Sequence, residues 1–323
     1  MNKKILSGVA LALIGIALYY LLLRTTNMTW ALLLEALQRM NIFIGLGCLL
    51  LIGGMIFFSA MKWKLVTESQ SDERLGLGFY FRYLTISAAL GQFLPLTLTN
   101  ATVRALALKR KDVMPILKTT SLFIWDQGFD FLALFLLMLS GLTYLFWGFS
   151  WPATAGFLFL CVAVTFTAMP IFIRLIIWLA SLLGRLSFMP RGIRSKFASL
   201  VLANILKPAL ARKLFAFSVC KFLLGSAFYT CIIAAYGYFV LADVGFWGAP
   251  SAEMAGVLSQ MPGGLGAMDW TWLGIFTSNG LDVQTAAGLA FGIRCVMLST
   301  NAIVATCVWT VYLAFVKQCA SSE

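Results

Sequence analysis

The chain has 323 residues, 61% of them hydrophobic and 11% charged, with formal charge +12 and a mean hydropathy of +0.92. A soluble globular protein is about one-quarter charged, and gathering so few charges into short clusters between long apolar runs excludes a water-facing fold. The absence of histidine removes the commonest general base and metal ligand together.

Runs of ~20 apolar residues match a hydrocarbon core of ~30 Å. Their leucine, alanine and phenylalanine content favours helices, which satisfy their own backbone hydrogen bonds in lipid. In chain order the predicted membrane segments are 5–23, 42–61, 79–95, 119–147, 154–179, 214–241, 251–279 and 284–316. Segment 5–23 follows Lys3 and Lys4; it is longer than a secretory signal core and lacks a small-x-small cleavage site, so it reads as a retained first helix. Two shorter stretches, Thr29 to Met40 and Arg191 to Leu206, carry the helical apolar spacing of elements lying in the interface.

Lysine and arginine set the orientation. Lys62, Lys64 and Arg74, the cluster from Arg104 to Lys118, the dense series from Arg185 to Lys221, and Lys317 all fall on the cytoplasmic face if the N-terminus is cytoplasmic. The condition is that 79–95, with basic residues on both flanks, enters and returns as a hairpin turning at Pro95. Segment 251–279 is broken by Met261-Pro262-Gly263-Gly264-Leu265-Gly266, its flanks lack basic residues, and it forms a hairpin from the outer face. The predicted fold is an all-α polytopic membrane protein, a single membrane domain over 1–323 with about six full spans and two re-entrant hairpins. Both termini lie in the cytoplasm and the membrane is the cytoplasmic (inner) one. Each hairpin has a proline break (Gln92-Phe93-Leu94-Pro95; Ser259-Gln260-Met261-Pro262), then an Asp-Val pair, then a long charged span. Units 79–147 and 251–316 are therefore expected to form an inverted repeat, with the binding site near the midplane.

Ionisable groups at membrane depth cost ~2.5–3.5 kcal/mol each on insertion scales. Asp126 and Asp130 lie one turn apart on one helix face, Arg104 begins the returning limb of the first hairpin, Asp269 follows the second break, and Arg294 lies in a long apolar run. The functional reading has Arg104 and Arg294 gripping an anionic head group while Asp126, Asp130 and Asp269 orient them. Gln92, Pro95, Pro262, Gly263, Gly264 and Gly266 shape the two breaks, whose helix N-termini add positive dipole ends. The alternative is that the charges pair with one another and fix helix packing. The seven dispersed cysteines, with no CxxC pair, read as buried small hydrophobes, so neither a metal nor a cofactor is expected. The net charge reflects cytoplasmic orientation and contact with anionic lipid, not nucleic acid.

At these residues the chain resembles a known family. Leu94-Pro95 through Arg104 to Arg110, Asp126-Gln127-Gly128-Phe129-Asp130, Met261 to Asp269, and Arg294 are similar to the transmembrane (flippase) region of lysylphosphatidylglycerol synthases and related stand-alone membrane proteins. Family members usually carry glutamate where this chain has Asp269, a Glu-Arg-x-x-x-Asp-like pattern near Asp126, and a glycine pair where this chain has Leu98-Thr99-Asn100. The resemblance implies lipid translocation between leaflets. The soluble aminoacyl-transferase half of the full synthases is expected to be absent, because the sequence stops at Glu323. The expected function is non-enzymatic translocation or binding of an anionic phospholipid, glycolipid or polyprenyl-linked lipid, with a glycosyltransferase or synthase as a partner. The alternative is a membrane enzyme or accessory subunit acting on a lipid-linked sugar or phosphate.

Overall fold

The computed structural model describes residues 41–183 and 206–320, together with Ala17, Tyr20, Leu21, Arg24 and Thr25. The first predicted span and both interfacial stretches lie outside the described residues, apart from helical Ala17, Tyr20 and Leu21 and the buried Leu206. The described secondary structure is helical: α1 (Ile42–Glu68), α2 (Leu77–Leu90), α3 (Leu96–Arg110), α4 (Ile116–Trp147), α5 (Trp151–Thr167), α6 (Met169–Leu183), α7 (Pro208–Ala235), α8 (Ala242–Ser259), α9 (Ala267–Ser278) and α10 (Val283–Ala320).

Local chemistry sets several of the boundaries. The Asn41 side chain accepts hydrogen bonds from the Phe43 and Ile44 amides at the start of α1, and Asp282 does the same for Gln284 and Thr285 at the start of α10. Gly148, at φ 65°, ends α4 in the left-handed conformation.

Among the described residues, α1, α4, α7 and α10 are long and apolar enough to cross a bilayer, and α5 with α6 makes a fifth crossing if that bent pair is one span. The predicted continuous span 154–179 is in fact bent by 68°. Pro170, the second residue of α6, lacks an amide proton and disfavours helical geometry just before it, so the helix breaks at Ala168. The other helices are shorter. At ~1.5 Å per residue, α2 (14 residues), α3 (15), α8 (18) and α9 (12) reach about 21, 22, 27 and 18 Å. Each falls below the ~30 Å of a hydrocarbon core.

Both predicted proline breaks are present, with limbs longer than expected. The first runs from α2 through Gly91–Pro95 into α3, so Arg104 lies well inside the returning limb rather than at its start. The second pair begins at Ala242 rather than near residue 251, because α8 continues through a buried Pro250.

The packing pattern repeats. α1 packs on α2, α2 on α3, α3 on α4 and α1 on α4; likewise α7 packs on α8, α8 on α9, α9 on α10 and α7 on α10. Across the halves α2 leans on α10 and α8 on α4, while α4 meets α7 and α10 meets α1. α1 and α7 pack together at the centre. The α4–α8 crossing is close because Gly141 has no side chain: a Cβ there would run into the Trp247 carbonyl. One aromatic core surrounds Trp63, Tyr80, Phe129 and Trp247, and a second surrounds Phe228, Trp272, Phe276 and Ile293.

Candidate functional site

The turns of the two short helix pairs touch. Gly263 N–H donates to the Gly91 carbonyl at 3.1 Å. Gly263 has φ 56°, and a Cβ on it would lie 2.7 Å from the Gln92 carbonyl oxygen, so this approach requires glycine. Gly264 and Gly266 also take positive φ, which explains three glycines in four positions. Pro262 is buried in the short 3₁₀ turn, and Pro95 immediately precedes α3. Gln92 donates its side-chain amide to the Ala88 carbonyl at 3.4 Å, and its Oε1 is buried without a partner.

Arg294 on α10 locks the second turn. Its Nε and Nη2 donate to Asp269 Oδ1 and Oδ2, each at 2.8 Å, and its Nη1 donates to the Gly263 carbonyl at 2.9 Å. Asp269, in the first turn of α9, also accepts the Gly266 N–H at 2.9 Å. A two-pronged guanidinium–carboxylate pair at this burial fixes orientation as well as charge.

A larger ion network lies between α1, α3, α4 and α7. Arg104 Nη1 donates to Asp126 Oδ2 at 2.6 Å. Lys62 Nζ lies 2.9 Å from Asp126 Oδ1 and also bonds Asp130 Oδ1. Asp130 further accepts from Ser218 Oγ at 2.7 Å and from Lys221 Nζ at 2.8 Å. Lys62 is 1% exposed, Asp126 1% and Arg104 4%. At such burial each charge needs its partner, since an uncompensated one costs several kcal/mol. The Arg104 guanidinium also lies over the Trp63 and Phe123 rings, at 5.3 and 5.2 Å from their centroids.

Beside Arg104 is a small pocket with room for about one water molecule; its lining includes Trp63, Thr67, Arg104, Thr119 and Phe123. Two buried donors there, Arg104 Nε and Trp63 Nε1, have no partner. Arg294 is not part of that lining. The structure therefore places the two arginines in separate ion networks, each on its own aspartate. Among the described residues no group of three His, Cys, Asp or Glu side chains is arranged to hold a metal ion.

Lys62 and Lys221, expected as cytoplasmic flank markers, instead share Asp130 inside the helix bundle, Lys62 fully buried and Lys221 partly exposed. The available signal was their setting, in Phe58 to Trp63 and Val219 to Leu224, where one lysine interrupts an apolar run. Glu253, inside the run from Ala249 to Leu258, carried the same signal and was also missed.

The match to known families decides where this arrangement belongs. Residues 6–305 match the lysylphosphatidylglycerol synthase TM region. The chain belongs to that family. No curated protein and no solved structure matches it. Within the lysylphosphatidylglycerol synthase TM-region family, the Pro262–Gly266 turn and its Asp269–Arg294 lock fall on residues that carry the resemblance. Membership ties the protein to membrane lipids.

Proposed function

We propose that this protein translocates, or binds for translocation, an anionic lipid or lipid-linked head group, without enzymatic chemistry of its own. It does so in the cytoplasmic membrane with both termini inside, alongside a synthase or glycosyltransferase. In this reading α2–α3 and α8–α9 are re-entrant hairpins from opposite leaflets. Limbs too short to cross and turns that touch favour it. The two halves form an inverted repeat, for which the paired packing pattern argues.

The observation that carries the proposal is the pair of free buried donors at Arg104 Nε and Trp63 Nε1. Buried donors nearly always have acceptors, and here a fixed cation adjoins them. A phosphate oxygen would satisfy both, with the Arg104–Asp126 pair presenting the guanidinium edge. The water-sized space takes one oxygen only, so a head group anchored here by that oxygen would then move past the hairpin turns.

Reconstitution in liposomes with labelled anionic lipids tests the proposal. Trp63→Phe removes one donor and keeps an aromatic ring; losing a hydrogen bond to a charged acceptor is worth ~1.5–3 kcal/mol, or roughly 10–100-fold in lipid affinity. Protein-independent movement of every anionic lipid, with Arg104→Ala and Arg294→Ala matching the wild type, would overturn it.

A further inference from the structure

One half-buried acid stands apart from the ion networks. Glu253 lies on α8, about 16 Å from the helix start at Ala242 on a rise of ~1.5 Å per residue. It faces the junction of α1 and α7: a Cβ built on Gly225 would be 3.2 Å from Glu253 Oε1 and 3.2 Å from Met55 Cε. Lys221 and Tyr229 of α7 and Asp130 of α4 are the charged and titratable groups around it. Asp269 of α9 and Arg294 of α10 act on Tyr229, not on Glu253 directly. On α1 the neighbouring side chain is the neutral Met55, with Lys62 held at Asp130.

Glu253 nevertheless forms no ion pair among the described residues. Lys221 gives its ammonium to Asp130, Lys62 and Arg104 are held by Asp126 and Asp130, and Arg294 is engaged by Asp269 and Gly263. The Tyr229 hydroxyl is the hydrogen-bond partner of Glu253, and a carboxylate with a neutral partner but no cation of its own is far more costly at membrane depth than a neutral carboxylic acid beside the Asp130 charge. The surrounding charges give the proton a second consequence. Lys62, Arg104, Lys221 and Arg294 outnumber Asp126, Asp130 and Asp269 by one, so the two ion networks together with Glu253 are neutral when it is ionised and carry one net positive charge when it is protonated.

We propose that Glu253 is a proton-binding site, and that its protonation charges the core so that a proton and an anionic head group bind together. The proton comes from water and bonds to a carboxylate oxygen; nothing is oxidised or reduced. The first half stands on Glu253 alone, while the second rests on the lipid-binding function proposed above. Coupling of this kind is reciprocal: an anionic lipid that favours the protonated state must raise the proton affinity of Glu253 by the same factor.

Infrared difference spectroscopy on the purified protein between acid and alkaline pH tests the first half without any transport assay. A protonated-carboxyl stretching band that titrates in the wild type, vanishes in Glu253→Gln and shifts in Glu253→Asp is expected. Identical spectra for wild type and Glu253→Gln would overturn the proposal. The same titration in nanodiscs of neutral lipid, with and without added phosphatidylglycerol, tests the coupling. The midpoint should rise by about one pH unit for each tenfold lipid preference for the protonated state. Trp63→Phe, which feels the same surface potential, should show a smaller rise. Equal rises in both proteins would overturn the coupling and leave the proton site standing. Failure of the liposome test with a titrating band would instead count against translocation alone.

Discussion

Replacing Gly263 with alanine attacks the contact between the two helix-pair turns. The residue sits at φ 56°, where an L side chain costs ~1–2 kcal/mol. Its new Cβ would lie 2.7 Å from the Gln92 carbonyl oxygen, well inside a normal carbon–oxygen contact, and 3.4 Å from Arg294 Nη1. The turns must therefore separate, and the 3.1 Å bond from Gly263 N–H to the Gly91 carbonyl is lost, for about another 1 kcal/mol. The total is ~2–3 kcal/mol, or about 30–150-fold in the population of the joined state. Thermal unfolding of detergent-purified protein, followed by tryptophan fluorescence, reads the loss. Gly274→Ala is the matched control, because nothing lies within 4 Å of the added carbon there. If Gly263→Ala melts together with Gly274→Ala, the turns do not bear on one another and the reasoning fails.

Asp130→Asn takes from the buried Lys62 one of its two carboxylates and leaves the partly exposed Lys221 against a neutral amide, costing up to ~3–5 kcal/mol; adding Lys221→Met should recover part of the melting temperature. Arg294→Lys keeps the charge and loses the two-pronged grip on Asp269, lowering stability by ~1–3 kcal/mol in the same assay. Arg82→Ala removes a guanidinium lying 3.7 Å from the Tyr312 ring centroid and 5.6 Å from that of Trp309; ~0.5–2 kcal/mol of α2–α10 contact goes with it, read as faster proteolysis after α2. Asp282, outside the spans, is held below the ordinary carboxyl range by hydrogen bonds from the Thr285 side chain and amide, then from the Gln284 amide. Its contribution to the start of α10 is present above the unfolded value of ~3.9 and fades as pH falls through the lower folded one. Asp282→Ala should therefore lose stability against the wild type at neutral pH, with the gap closing in acid.

How much of this was legible in the sequence depended on range. Proline and glycine act on their own backbone, so Pro95, Pro262 and the positive-φ glycines announced both breaks. The intramembrane charges Asp126, Asp130, Asp269 and Arg294 announced themselves by cost. Their partners did not, because Lys62–Asp130 and Lys221–Asp130 join residues 68 and 91 positions apart, and only tertiary packing sets those meetings. Counting lysines as markers of the cytoplasmic face hid Lys62 and Lys221, since that rule treats a basic residue near a helix end as solvated. The 68° bend at Ala168 was available from Pro170 and was overridden by the apolar run around it.

Because α2 rests on α10 and α8 rests on α4, neither half of the bundle is finished by its own residues. During synthesis the earlier helix pair has to wait for the last long helix before the flank of α2 is covered. A chain cut short after α9 would thus be damaged at its beginning, with α2 stripped of its neighbour some two hundred positions upstream of the cut. Co-expressed halves should rebuild the fold only as an interlocked pair.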